Sequence, residues 1–272
     1  MTTPAAPSFQ EIKADKVTCV IDKVTTLPTT TFTIRPGENV AITGENGAGK
    51  TTFLRVLTGN LIPSSGTVTR DGVTLDERDA ATRRIIAPLI GPIAGFRDMT
   101  LADHLIMIDQ TWGGDRDGAG QRIADVLGRL DILRFGTRYL SQLSSGQRQL
   151  AELAMVLLRP SALLVLDEPE QRLDPGRREM LAQVLTERVK AGGAVVWVCH
   201  DQALAEGHAT RIEHFPQGSR RRTATTDTST QEQQAAAGGG GKGGTAGKSR
   251  GPKGGTAKSG GKKSANRRKG SR

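Results

Sequence analysis

Gly44-Glu45-Asn46-Gly47-Ala48-Gly49-Lys50-Thr51-Thr52 has the composition of a loop that holds phosphate. Its glycines let successive backbone N–H groups turn toward one anion, at the positive end of the helix that follows. In such a loop Lys50 bridges the β- and γ-phosphates of ATP, and the Thr51 hydroxyl holds Mg²⁺. Further on, Leu163-Leu164-Val165-Leu166-Asp167-Glu168 carries an apolar run into two carboxylates. Asp167 suits the other side of the same metal, and Glu168 can accept a proton from an attacking water. Taken singly, these stretches also describe a glycine-rich turn before a helix and a strand ending in a solvated acidic turn. His200 follows Val198-Cys199 at a strand end, where α/β sheets gather their ligands; a histidine satisfied within the core is the other reading.

These groups need a strand, a loop and a helix in that order, and the flanking sequence supplies them. Residues 40–42 form a short apolar strand, and Lys50–Leu57 is a helix-forming run. Upstream, residues 17–21 and 31–34 alternate apolar with polar positions and read as β, joined to the loop strand by the turn Arg35-Pro36-Gly37-Glu38. Residues 66–70 and 73–75 make an antiparallel hairpin around Asp71-Gly72. Residues 101–108 and 121–130 have helical spacing, separated by a glycine-rich stretch over 113–120, and begin a second, helical layer. Residues 147–158 are again helical up to Arg159-Pro160. Residues 162–166 and 194–199 are near-continuous apolar runs, typical of parallel strands covered on both faces. Between them lies a helix with Asp174 as N-cap, Pro175 at its first position and Gly192 beyond its end. This βαβ order implies a right-handed crossover and a parallel sheet.

Leu143-Ser144-Ser145-Gly146-Gln147 completes a set that resembles the ATP-binding-cassette (ABC) superfamily. Leu173-Asp174-Pro175 and His200 stand where that family has its D-loop and switch histidine, and the order of motifs matches from about residue 17 to 215. The resemblance implies an α/β fold: a P-loop NTPase core with a parallel sheet, an antiparallel β subdomain and a helical signature subdomain. It implies ATP and Mg²⁺ as cofactors, with Glu168 and His200 catalytic and Thr51 and Asp167 on the metal. It also implies a head-to-tail dimer with a second ABC subunit, identical or related. There ATP lies between Gly44–Thr52 of one copy and Ser145, Gly146 and Gln147 of the other, with Asp174 nearby. A plain helix N-cap at Ser144 is what the residues alone describe. A separate transmembrane permease would be driven by dimer closure, from the cytoplasmic face of the membrane, and the short helical segment resembles exporter-type members.

Three departures from the family pattern stand out. No glutamine occurs in Leu89-Ile90-Gly91-Pro92-Ile93-Ala94-Gly95-Phe96, before Met99-Thr100, where the family usually has one. No aromatic occurs in Val20-Ile21-Asp22-Lys23-Val24, where one often stacks on adenine. Glu170-Gln171-Arg172 replaces small residues ahead of the D-loop, so that Arg172 either forms ion pairs at a dimer contact or sits in a solvated loop.

The 272-residue chain carries +10, but the excess is all in one place. From residue 216 onward there are fourteen Lys and Arg against Asp227 and Glu232, so residues 1–215 are close to neutral. That tail has no aromatic residue and no aliphatic one larger than Ala, and cannot bury enough surface to offset chain entropy. The expected organisation is a flexible leader over 1–8, an ATP-binding domain over 9–215 and a disordered Gly/Lys/Arg-rich tail over 216–272. The tail could touch anionic lipid, bind nucleic acid, or serve only solubility. A soluble ABC-type ATPase acting on nucleic acid or ribosomes is the alternative function, though the tail lacks aromatics for base stacking, and nucleic acid is not the expected partner. Cys19 and Cys199 have no metal-ligand spacing and read as free thiols, and no apolar run is long enough to span a bilayer.

Overall fold

The computed structural model describes residues 7–216. Most of the leader expected over 1–8, and the basic tail from 217 on, lie outside the described residues. In chain order the elements are β1 (Ile12–Ile21), β2 (Val24–Ile34), β3 (Asn39–Gly44), α1 (Lys50–Leu57), β4 (Ser65–Arg70), β5 (Val73–Thr74), α2 (Ala80–Ile85) and β6 (Ile86–Leu89). They continue with α3 (Leu101–Thr111), α4 (Arg116–Arg129), α5 (Ser145–Leu157), β7 (Leu163–Asp167), α6 (Pro175–Lys190), β8 (Ala194–Val198), α7 (Gln202–His208) and β9 (Arg211–Phe215).

Two sheets result. The parallel one has the order β6-β7-β8-β3-β9, and the antiparallel one the order β2-β1-β4-β5. The mixed α/β architecture is the one expected. The parallel strands are buried on both faces, and their alternation sorts them between two cores. Leu164, Leu166, Val195 and Trp197 face α3–α6, while Leu163, Val165, Val196 and Val198 face α1 and the antiparallel sheet. Because side chains alternate along a strand, Asp167 continues the Leu163 and Val165 face and emerges beside α1.

The roll of α1 is fixed by its own apolar side. Phe53 is fully buried between Phe32 and Phe215, with ring centroids 5.2 and 5.1 Å away. Burying such a side chain contributes roughly 1.5–3 kcal/mol. With Phe53 and Leu54 turned into the core, Lys50 and Thr51 at the helix start are left facing the ends of β3 and β7.

Several elements differ from the sequence expectations. The glycine-rich stretch over 113–120 is not a linker throughout, because α4 already begins at Arg116. Asp115 caps it, accepting from the Gly118 N–H at 2.6 Å. Arg122 then ties the turn down, donating to Asp109 and to Asp115 at 2.7 Å each. The cap and the guanidinium outweigh the poor helix propensity of Gly118 and Gly120. Strand β6 contains Pro88, which reads as a strand breaker; it is tolerated because β6 is the sheet edge. Cys19 and Cys199 are buried free thiols, as expected.

Candidate functional site

The loop from Gly44 to Gly49 is shaped by close backbone approach. Gly49 has φ 92°, and a Cβ there would lie 2.5 Å from the Thr26 carbonyl oxygen, so no other residue fits without moving β2. Gly49 is also the N-cap of α1, and no side chain caps that helix. Its first N–H groups are therefore available to an anion at the positive end of the dipole. Lys50, 6% exposed, donates from Nζ to the carbonyls of Gly44 and Glu45 at 2.7 and 2.9 Å. An ammonium has a third N–H, and the loop holds it at the entrance to the helix.

From the next strand Asp167 arrives on the face predicted by alternation. Its Oδ2 accepts from the Thr51 hydroxyl at 2.8 Å, and its Oδ1 is buried with no hydrogen-bond partner. Burial raises the Asp167 pKa above its ordinary value, the neighbouring Glu168 adds to this, and the Thr51 hydrogen bond works against it. A hydroxyl and a carboxylate converging with one oxygen unsatisfied make a hard donor set, which suits Mg²⁺.

Glu168 stands at φ 51°, in the left-handed region that costs a residue with a Cβ. That turn brings its Oε1 within 2.6 Å of His200 Nε2, at the end of β8. A cavity of about 320 Å³ joins these parts: Asn46, Lys50, Thr51 and Thr52 on one side, Glu168 and residues 24–26 on the others. An adjoining cavity shares Asn46 and Glu168 and adds Glu170, His200 and Asp201. Segments far apart in sequence thus meet here: 46–52 and Glu168 at the first hollow, and His200 with Asn46 and Glu168 at the adjoining one.

Ser145, Gly146, Gln147 and Asp174 line neither cavity. Ser144 caps α5, accepting from Gln147 N–H at 3.3 Å, and Gln147 Oε1 accepts in turn from Ser144 N–H at 3.1 Å. Gly146 packs against the loop before α6, where a Cβ would lie 2.6 Å from the Arg172 carbonyl oxygen. Asp174 caps α6, accepting from Arg177 N–H at 3.0 Å. Gly146 is thus brought against the loop that leads into Asp174, and none of the four residues lines the cavities beside the phosphate loop of its own chain.

Glu170 belongs to the site although sequence reasoning passed over it. It is 3% exposed, and its Oε1 accepts from the His200 backbone N–H at 2.9 Å. Burial raises its pKa above the ordinary value, partly offset by that hydrogen bond. The signal was present in Glu170-Gln171-Arg172 as an unusual run, but its meaning depends on the strand pairing that places residue 170 under residue 200.

Known proteins resemble this chain in sequence and in fold. The family described as "ABC transporter" matches residues 27–171. A hemin import ATP-binding protein of Streptomyces coelicolor is 35% identical over 66% of this chain and 65% of its own length. An energy-coupling factor transporter ATP-binding protein of Lactiplantibacillus plantarum is 36% identical over 65% and 64% of the two chains. The alignments therefore span slightly under two thirds of these relatives. A solved dimeric bacterial ABC transporter cassette superposes with a TM-score of 0.69 at 24% identity, covering 76% of this chain and 95% of that one. A post-hydrolysis state of such a cassette, bound to ADP and Pi, gives 0.68 at 23% identity over 75% and 94% of the two chains. With a fold shared with solved cassettes and a family match over more than half of its residues, this chain belongs to the ABC transporter family.

Proposed function

We propose that the chain binds ATP with Mg²⁺ at the loop Gly44–Thr52, hydrolyses it, and acts as the ATP-binding subunit of an ABC transporter with a separate permease. One observation supports this reading: Thr51, hydrogen-bonded to Asp167, and Glu168, hydrogen-bonded to His200, both line the hollow beside the phosphate loop. Loop N–H groups and Lys50 hold the phosphates, with Glu45, Asn46, Ala48 and Thr52 completing the cradle. Thr51 and Asp167 would hold Mg²⁺, which neutralises charge on the phosphates when bound. Glu168 takes the proton of the attacking water, and His200 fixes the Glu168 carboxylate at 2.6 Å. Glu168 and His200 are the catalytic pair in this proposal.

Ser145, Gly146 and Gln147 complete the site from a second copy or a related subunit, with Asp174 at the contact. The helix start at Ser145 would offer its remaining N–H groups to a phosphate held by the other copy, and the dimeric state of the cassette named above supports pairing of two such chains. ATP-driven closure and hydrolysis-driven opening then supply the stroke. A permease would receive it at a cavity of about 400 Å³ between Arg55, at the far end of α1, and the segment carrying Ile90 and Pro92. Phosphates at one end of α1 and a partner at the other would be coupled through eight residues.

Among the described residues no helix is long and apolar enough to cross a membrane. The proposed place, taken from the partnership with a permease, is the cytoplasmic face of the membrane. The tail from residue 216 would add contact with anionic lipid; deleting residues 219–272 is expected to weaken membrane association and spare ATPase activity. The function itself is tested with Glu168→Gln, which should bind Mg-ATP while turnover falls roughly 10²–10⁴-fold. Unchanged turnover in that variant would overturn the proposal.

A further inference from the structure

All aromatic residues of the chain, six Phe, two Trp and one Tyr, fall within the described residues, so each can be placed. Phe9, Phe32, Phe53 and Phe215 are buried in the core around α1. Phe135 and Trp197 are buried in the other core. Trp112 lies beneath the Arg159 guanidinium, 4.3 Å from the ring centroid, in the cavity at the far end of α1. Phe96 and Tyr139 are exposed but line neither cavity beside the phosphate loop.

What borders that cavity beyond the loop is the start of β2: Val24, Thr25 and Thr26. Val24 pairs across the hairpin with Ile21, which is 45% exposed, so this rim offers aliphatic surface. The Thr26 hydroxyl is turned to the Cys19 carbonyl at 3.4 Å. A threonine hydroxyl such as that of Thr25 both donates and accepts, and so meets the edge of adenine or of guanine equally well. At the other end of the cavity the groups are specific: the Lys50 ammonium, the uncapped start of α1, and the Thr51–Asp167 pair.

We propose that this site selects its substrate by the triphosphate and not by the base, so that its substrate class is nucleoside triphosphates in general. The inference rests on the phosphate-loop reading above and deepens it. Dispersion against methyl groups favours any planar base similarly, whereas an aromatic platform adds an interaction equivalent to roughly 5- to 150-fold in affinity per base.

The test is calorimetric titration of the full-length chain carrying Glu168→Gln, which slows turnover, with ATP, GTP, UTP and tripolyphosphate in Mg²⁺. The expected result is dissociation constants for the three nucleotides within about threefold of one another, and tripolyphosphate within about tenfold of ATP. A preference for ATP over both GTP and UTP of about tenfold or more would overturn the inference, whichever copy in a dimer supplied the contact. Binding of none of the four would overturn the phosphate-loop reading itself, and this inference with it.

Discussion

Two helix starts in this protein, those of α1 and α5, end in opposite situations. At α1 the N-cap is Gly49, no side chain closes the helix, and Thr51 and Lys50 are engaged by Asp167 and by loop carbonyls of the same chain. At α5 the N-cap is Ser144, which with Gln147 forms a reciprocal capping box, and the segment lies outside the hollow that α1 faces. The first start leaves its helix N–H groups open and surrounds them with a carboxylate pair and a histidine. The second satisfies its own chain and remains exposed at Ser145. A phosphate bound at the first finds the groups for chemistry in cis; in the proposal above, the second would serve a phosphate held by another copy.

Substitutions at the two starts should therefore fail differently. Lys50→Ala removes a charged donor from the phosphates in cis, and Mg-ATP affinity is expected to fall about 100-fold, read by titration, with the fold retained. Ser145→Arg should leave ATP binding to the single subunit unchanged, yet lower turnover about 10- to 100-fold by blocking the site in trans. Equal loss of binding in both variants would erase the distinction. A smaller effect concerns Glu170, which supports only the first site. Its carboxyl pKa is raised on folding, so the native state binds more protons than the unfolded chain above the ordinary value of 4.5. This group's contribution to stability is thus largest below that pH and declines as pH rises through the folded pKa. Glu170→Gln keeps an acceptor for His200 N–H and removes the titration. Thermal unfolding of the variant should lose that part of the pH dependence, its Tm falling less than that of the wild type as pH rises above 5. An unaltered profile would mean that Glu170 is not the buried acid described.

Much of the first start could be read in the sequence because it is local. The glycines, Lys50 and Thr51 lie within nine residues, and the strand 163–167 announces Asp167 by its apolar run and period of two. Asp174 as N-cap and Lys50–Leu57 as a helix were likewise visible, since capping and propensity act over a single turn. What was not legible depended on pairing. Glu170 acquires its role only because β7 and β8 are neighbours, which sets residue 170 against the backbone of residue 200. Strand β6 was hidden by Pro88, and the early start of α4 by its glycines, until edge position and the Arg122 bridges decided each. Gly146 shows the reverse case. Its motif suggested phosphate binding, but its close approach to Arg172 would by itself require glycine.

Mixing two inactive variants separates cis from trans most directly. Lys50→Ala spoils every site built on its own phosphate loop, and Ser145→Arg spoils every site built on its own signature. A head-to-tail pair containing one of each keeps one intact site, made of the unaltered loop of one copy and the unaltered signature of the other. Equimolar mixing of the two purified proteins should therefore restore ATPase activity to about a quarter of the wild-type level, from mixed pairs with half their sites intact. Activity that stays at the level of the separate variants would contradict a site shared between copies.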